Sequence, residues 1–179
     1  MKVFDSQRLH FRPLDEGDEA LYCHLYTDPV LMRHIAAPLS VEAAQRCFHK
    51  ACALATQQDP SMQLWVITER GSSAGLGLLA RVRHADATNV AELGTMLVAE
   101  GQGRGYAAEA LGALIRRLFA LAEIRMLWTA HAAGNAAAVA LMRRLGFVRD
   151  LTAEGGGVDW HWQLDRDLWR ALRAAAPAL

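Results

Sequence analysis

The sequence predicts a mixed α/β domain built on a largely antiparallel sheet, and three observations carry that prediction. Leu64 to Thr68, Ala74 to Arg83 and Val90 to Val98 are apolar runs of strand length, separated by Gly71-Ser72-Ser73 and Asp86-Ala87-Thr88-Asn89, which reads as an antiparallel meander. Directly after it, Ala107, Ala110, Leu111, Leu114, Ile115, Leu118 and Ala122 keep the i, i+3, i+4, i+7 rhythm of a helix with one buried face. Between strand and helix lies Gln102-Gly103-Arg104-Gly105-Tyr106-Ala107. Its glycines relieve Cβ hindrance, so successive N–H groups can turn toward one anion at the positive end of the helix.

The remaining elements follow in order. Gln7 to Arg12 reads as a first strand, and Pro13-Leu14-Asp15 leads into a helix through about Tyr26. Pro29 restarts the chain in a short helical piece. Ser40 is placed to cap a helix over Val41 to Thr56, with Val41, Ala44, Phe48, Cys52 and Ala55 as its buried stripe. After the long helix come a strand from Arg125 to Ala130, an Asn135-capped helix ending at Gly146, and strands at Phe147 to Leu151 and Val158 to Leu164. The Ala-rich end, Ala171 to Ala178, is helical or frayed. No internal repeat or interdomain linker interrupts this order.

Composition bounds the function. A chain of 179 residues, 53% of them apolar, fits one domain with a substantial core. Lys plus Arg and Asp plus Glu are 19 each, so no global field favours nucleic acid or an anionic membrane as partner. Lys2, Asp5 and Arg8 leave no apolar leader segment between them, and no apolar run is long enough to span a bilayer, so a cytoplasmic protein is expected. Cys23, Cys47 and Cys52 are odd in number and lack C-x-x-C spacing, which argues for buried thiols rather than disulfides or zinc. The seven histidines form no metal-binding pair, and no metal is expected.

The Gly-rich loop admits three readings. It is a simple connector, or a dinucleotide fingerprint, since Gly103 to Ala108 satisfies G-x-G-x-x-A and Glu123 lies about twenty residues on. Against the second, the preceding strand follows an antiparallel meander and Glu123 falls at a helix end; no Walker lysine follows either. In the third reading, Gln102 to Ala107 resembles the Q/R-x-x-G-x-G/A acetyl-CoA signature of the GNAT acyltransferase superfamily. Further stretches match in the right order. Ser6-Gln7-Arg8-Leu9-His10-Phe11-Arg12-Pro13-Leu14 resembles the opening strand of the RimJ/RimL-like branch, and Asp28-Pro29-Val30-Leu31-Met32-Arg33 resembles its following turn and short helix. Asn135 to Phe147 resembles its N-x-x-[SA]…L-G-F segment, so the resemblance spans roughly Ser6 to Leu164.

That resemblance implies a single domain over 1–179 with the GNAT acyl-CoA N-acyltransferase fold, a twisted, mixed, mostly antiparallel sheet flanked by helices. It implies an acetyl-CoA-dependent N-acetyltransferase in which a primary amine attacks the thioester directly, without an acyl-enzyme. The implied acceptor is a small-molecule amine or a protein N-terminal amine. A larger donor such as succinyl-CoA shares the CoA part, and a noncatalytic CoA sensor is the alternative from another class. The resemblance makes a homodimer plausible, but no segment specifies an interface.

The resemblance also distributes roles. Main-chain groups of Met96, Leu97 and Val98 would pair with pantetheine or bond the acetyl oxygen, and Gln102, Gly103, Arg104, Gly105, Tyr106 and Ala107 would cradle the pyrophosphate. Arg104 would act through its N–H or its side chain. Asn135 would meet the pantetheine arm or simply cap its helix. Glu92 would be the general base, unless it is a strand-edge charge paired with Arg81 or Arg83. Glu109, in the first helical turns, fits a structural role better than proton transfer. Met142 and Ala138 stand where relatives often place a tyrosine and a serine, so CoA would leave as a thiolate held by water and the helix, or a donor would come from elsewhere, such as Tyr22, Tyr26 or His131, or catalysis would be reduced or lost. Trp160 and Trp162 share one face of the last strand with His161 on the other, and fit packing better than an acceptor wall or dimer surface; Trp65 and Trp128 are expected in the core.

Overall fold

A computed structural model describes residues 2–57, 60–84, 87–151 and 159–175; Asp86, Val158, Ala176 and Ala178, which figure in the expectations above, lie outside them. The chain runs β1 (Phe4–Asp5), β2 (Leu9–Pro13), α1 (Glu19–Thr27), α2 (Pro29–Met32), α3 (Val41–Ala55), β3 (Met62–Glu69), β4 (Gly75–Arg83) and β5 (Val90–Leu97). It continues through α4 (Tyr106–Phe119), β6 (Met126–Ala132), α5 (Ala136–Leu145), β7 (Val148–Asp150), β8 (Asp159–Asp165) and α6 (Arg166–Ala175). The strands form one sheet in the order β1-β2-β3-β4-β5-β6-β8-β7. All pairs are antiparallel except β5 with β6, which α4 joins as a crossover.

Strand periodicity divides the core between the two faces of the sheet. Trp65 and Ile67 of β3, Leu79 of β4, and Ala91 and Leu93 of β5 pack with Ala110, Leu111, Leu114, Ile115 and Leu118 of α4. Their neighbours Leu64, Val66 and Leu78 point the other way, to Tyr22 and Leu25 of α1 and Phe48 and Ala51 of α3. The expected mixed sheet with helices on both faces, including the β3–β4–β5 meander, is what the chain forms.

The helix ends follow local chemistry. Asp28 Oδ1 accepts from Val30 N–H (2.7 Å), Ser40 Oγ from Ala43 N–H (3.2 Å), and Asn135 Oδ1 from Ala138 N–H (3.0 Å). Gly146, at φ 86°, closes α5 in the left-handed region.

Several expectations need correction. β1 was not anticipated; it pairs with β2 over only two residues. Val41, at 56% exposure, lies outside the α3 stripe, which turns through Ala44, Phe48 and Ala51. Ala122 lies beyond α4, whose last turn is closed when Ala120 N–H bonds Arg116 O. The cysteines are not buried thiols: Cys47 is exposed, and Cys23 and Cys52 are partly so. Trp65 is core, as is Trp162, while Trp128 is only half-buried and stacks on His161. Trp160 packs partly buried against the core beneath the guanidinium of Arg149. The β5–α4–β6 crossover also means that a βαβ unit is present; it is the exposed position of Glu123, in the loop before β6, that departs from the dinucleotide pattern.

The start of α6 is tied to that same loop. Arg166, 9% exposed, donates through Nη2 to the carbonyls of Leu121 (2.6 Å), Ala122 (3.0 Å) and Ile124. Hydrogen bonds from a charged donor contribute about 1.5–3 kcal/mol, and abandoned buried acceptors cost about 1–3 kcal/mol. Arg166→Met should therefore lower the unfolding free energy by roughly 3 kcal/mol in urea titrations. An unchanged midpoint would mean that these carbonyls do not depend on the arginine.

Candidate active site

The parallel pairing of β5 with β6 covers only Val90↔Met126, Ala91↔Leu127 and Glu92↔Trp128. Beyond Glu92, β5 keeps β4 as its partner through Leu97, while β6 follows β8 through Ala132. The two strands diverge, and a cavity of about 370 Å³ occupies the opening, with Gly94, Thr95 and Met96 on one lip and Thr129, Ala130 and His131 on the other. A second cavity of about 520 Å³ continues from it toward Gln102, Gly103 and Gly105. The two share Thr95, Met96, Asn135 and Ala138 as walls, so one path leads from the Gly-rich loop into the gap between the strands. Gly77 permits the strand geometry here: a Cβ on it would lie 2.0 Å from Met96 O.

The loop presents backbone. Gly103 and Gly105 have φ 72° and 78°, the left-handed region that favours glycine. Gly105 precedes α4 with no side-chain cap, unlike the residues that open α2, α3 and α5. The first N–H groups of α4 therefore have neither an intrahelical acceptor nor a capping side chain, and the helix dipole adds positive potential at the same place.

The loop's own side chains are occupied in holding this shape. Tyr106 is 2% exposed; its hydroxyl donates to Glu69, and its ring lies 4.6 Å from the guanidinium carbons of both Arg8 and Arg104. Arg104 Nη2 pairs with Glu69 Oε1 at 2.7 Å, on a side chain that stays half exposed. Arg8 donates from Nη1 to Arg104 O at 3.1 Å, and from N and Nε to the Glu109 carboxylate at 2.7 Å each. Ser6 Oγ donates to Glu109 as well, at 2.7 Å. Burial alone would raise the Glu109 pKa, but these donors outweigh it and hold the carboxyl below its usual range. Glu109 is a structural anchor, as its position in the sequence suggested.

At the end of β5, Val98 N–H donates to Leu76 O (2.9 Å) and Val98 O accepts from Gly101 N–H (3.0 Å). Gln102 Nε2 donates to Leu97 O at 3.0 Å. The main chain of Val98 is thus engaged within the protein, and Met96, which lines both cavities, is the best placed of the three strand positions. Asn135 caps α5 and also lines both cavities.

Glu92 lies at the point of divergence, in the wall of the first cavity. Register sets it opposite Val82, with Arg81 and Arg83 opposite Leu93 and Ala91, so those arginines point to the other face. Its charged neighbours are instead His161 and His84; burial raises its pKa, and the two histidines oppose that rise. A carboxyl held above its usual range beside a cavity suits proton acceptance near neutral pH. Neither histidine was singled out as a neighbour of Glu92, because only the β4–β5–β6–β8 register brings them together. The loop residues His34 and Ile35, which line both cavities, likewise carry no sequence signal. Of the thiolate donors considered, Tyr26 and His131 line the first cavity; Tyr22 packs in the α1/α3 core, with burial raising its pKa strongly. Among the described residues, no group of three or more His, Cys, Asp or Glu could hold a metal ion, and no helix is long and apolar enough to cross a membrane.

The family model described as acetyltransferase (GNAT) domain matches residues 8–148. No match was found among curated protein sequences. Among solved structures, an acetyltransferase from Agrobacterium tumefaciens shares 22% identity at a TM-score of 0.78, over 92% of this chain and 94% of that one. RimL, the ribosomal L7/L12 α-N-protein acetyltransferase in complex with coenzyme A, shares 21% at 0.76, over 93% and 99%. The spermidine N-acetyltransferase of Vibrio cholerae, in complex with CoA and spermine, shares 19% at 0.75, over 90% and 98%. At these identities the likeness is one of fold.

The raised pKa of Glu92 has a signed consequence for stability. The native state holds this proton more tightly than the unfolded chain, so the contribution is full below the ordinary glutamate range and is lost as pH rises through the raised value. Glu92→Gln, with no charge to bury, should therefore be more stable than the parent at neutral pH, with the difference closing in acid. Denaturant titrations across that pH range check this, and a gap that does not change with pH would remove the buried charge as its cause.

Proposed function

The chain belongs to the acetyltransferase (GNAT) domain family, and from that premise we propose that it is an acetyl-CoA-dependent N-acetyltransferase of RimJ/RimL-like type, acting on a primary amine by direct attack. The observation that carries the proposal is the continuous path from the uncapped start of α4, through the wall of Met96 and Asn135, to Glu92 at the β5–β6 divergence. Pyrophosphate is received by the N–H groups of Gly103, Arg104, Gly105, Tyr106 and Ala107, beside Gln102. The pantetheine arm lies along Met96 and Leu97 with Asn135 opposite, and the thioester reaches the first cavity. The amine enters beside Glu92, which takes its proton directly or through water, so that the free base attacks the carbonyl carbon. Main-chain donors along β5 stabilise the developing oxyanion.

The neighbours motivate the acceptor class and the donor. RimL is named for a protein N-terminus, the Vibrio cholerae enzyme was captured with spermine, and both structures contain CoA. An amine, either a small molecule or a protein N-terminus, is accordingly the acceptor to test, in a soluble assay without nucleic acid, membrane or metal, as suits the proposed cytoplasmic enzyme. Whether the protein acts as a monomer or a homodimer belongs to the same characterisation.

Calorimetric titration with acetyl-CoA, with NADH as control, should show saturable binding of acetyl-CoA alone. Gly105→Val, which introduces a β-branched side chain at positive φ, should weaken that binding at least tenfold. CoA release against an amine panel, run in parallel with acetyl-CoA and succinyl-CoA, identifies acceptor and donor. In Glu92→Gln, turnover at neutral pH should fall by about 100-fold or more with acetyl-CoA affinity nearly intact. Tight binding without turnover on any amine would favour a CoA sensor instead, a reading that Ala138 and Met142 in the cavity wall make specific. Absence of binding would overturn both.

A further inference from the structure

The first cavity combines a single carboxylate with a largely apolar wall. Leu64, Leu78, Ala80 and Met96 line it from the face of the sheet that packs under α1 and α3. Tyr26 of α1 and Ile35, after α2, complete that side, and Ile35 stays 55% exposed, a large apolar side chain in a cavity wall rather than in the core. Glu92 belongs to the same face, since register sets it opposite Val82, which alternates with Ala80 and Leu78 along β4.

Among the described residues of the wall, Glu92 is the one Asp or Glu. The other ionisable groups there are Tyr26, His34 and His131. A histidine never supplies a negative charge, and burial raises the pKa of Tyr26, which keeps its phenol neutral. His84 and His161, the neighbours of Glu92 outside the cavity, bring no negative charge either. Asp150 and Asp165 share this sheet face, but on β7 and β8, about 14 and 10 Å across the strands from β5, and neither borders the cavity.

Small residues keep the space beside Glu92 open. Ala80 pairs with Gly94 across β4 and β5. A Cβ on Gly94 would meet only the Ala80 Cβ, at 3.7 Å, an ordinary contact, and Gly94 is not among the glycines at positive φ. Neither crowding nor backbone conformation requires glycine there. What its missing side chain and the single methyl of Ala80 supply is volume, about 7 Å along the strand from the carboxylate and on the same face.

We infer that the acceptor is a small primary amine with one positive charge on an apolar body, an arylalkyl or branched alkyl monoamine, and that Ala80 and Gly94 select it by shaping the space its body fills. The inference rests on the acyl-transfer reading above and names its substrate class. Glu92 is the counter-charge for the ammonium, and the apolar body displaces water from the wall of Ala80, Gly94, Tyr26 and Ile35. A polyamine or an aminoglycoside carries further ammonium groups, which this wall would strip of water without a counter-charge. A peptide N-terminus carries amides directly behind its amine. The main chains of β3 and β4 along this wall are already paired within the sheet, and the open edge of β5 is the one that pantetheine takes in the proposed reading.

The test compares 2-phenylethylamine and isopentylamine with spermidine, kanamycin and a tripeptide with a free N-terminus, on the intact protein at saturating acetyl-CoA. For the better monoamine, kcat/KM should exceed that for each of the other three by about tenfold or more. Ala80→Leu, which fills the space, should raise the monoamine KM by about tenfold or more while acetyl-CoA affinity changes by less than about threefold. Ala80→Glu, which adds a second carboxylate, should narrow the ratio of monoamine to spermidine by about tenfold. If Ala80→Leu does not fold, Ala80→Val takes its place. A preference for spermidine, kanamycin or the tripeptide overturns the inference and leaves acyl transfer standing, as does an unchanged monoamine KM in folded Ala80→Leu. Binding of acetyl-CoA with turnover of none of the five also overturns it and favours the CoA sensor. Failure to bind acetyl-CoA is a separate outcome, which overturns the acyl-transfer reading and this inference with it.

Discussion

The site depends on a single feature of the sheet: β6 pairs with β8 along its whole length but with β5 only at its start. It pairs with β8 at seven positions and with β5 at three. β5 in turn has seven partners on β4, so each lip of the opening is held from behind by a longer ladder than the one joining the lips. The gap is therefore a rigid feature with its own supports and needs no loop to prop it open. Backbone groups along its edges lack the neighbouring strand that would satisfy them, and such groups require water or a ligand. A ligand with amides along an extended arm can act as the missing strand, which is why the pantetheine reading follows from pairing geometry as much as from any side chain.

The Gly-rich loop is held by residues remote from it in sequence. Ser6 and Arg8 at the chain's beginning and Glu69 on β3 hold Glu109, Arg104 and Tyr106 through charge-assisted hydrogen bonds. The side chains are consumed by the scaffold, so the N–H groups are what the loop has for a ligand. A ligand arriving at groups already fixed in place loses less to ordering them, which favours affinity and alignment together. Arg104 joins loop and scaffold: its guanidinium pairs with Glu69 over the Tyr106 ring while its main chain lies in the Gly-rich loop.

The parts of the fold legible in the sequence were those with local causes. The α4 stripe, the caps at Ser40 and Asn135, the meander and the Gly-rich loop each follow from periodicity or backbone chemistry within one segment. What depended on register was hidden. Glu92 could be named as a carboxylate before a loop, but its separation from Arg81 and Arg83 and its place beside His84 and His161 come from four strands aligned at once. Val41 and Ala122 had the right spacing for buried stripes and missed them because they stand at helix ends, where the stripe runs out from under the core. Gly77 had no signal at all, since its role is the space it leaves for Met96 O across the strand pair.

Three departures from local satisfaction lie along the two joined cavities. α2, α3 and α5 begin with side-chain caps, whereas α4 begins with a glycine and an open set of N–H groups. Glu92 is half-buried with its pKa raised, and His131 carries a buried nitrogen without a partner among the described residues. Each is unfavourable for the protein alone, and all three line the two joined cavities. Natural chains keep such conflicts where a ligand resolves them. A ligand with an anionic group along this path would give acceptors to the α4 N–H groups, while a cationic group would meet Glu92 in its charged form. Glu92 and His131 lie on opposite faces of the sheet, with the opening between them.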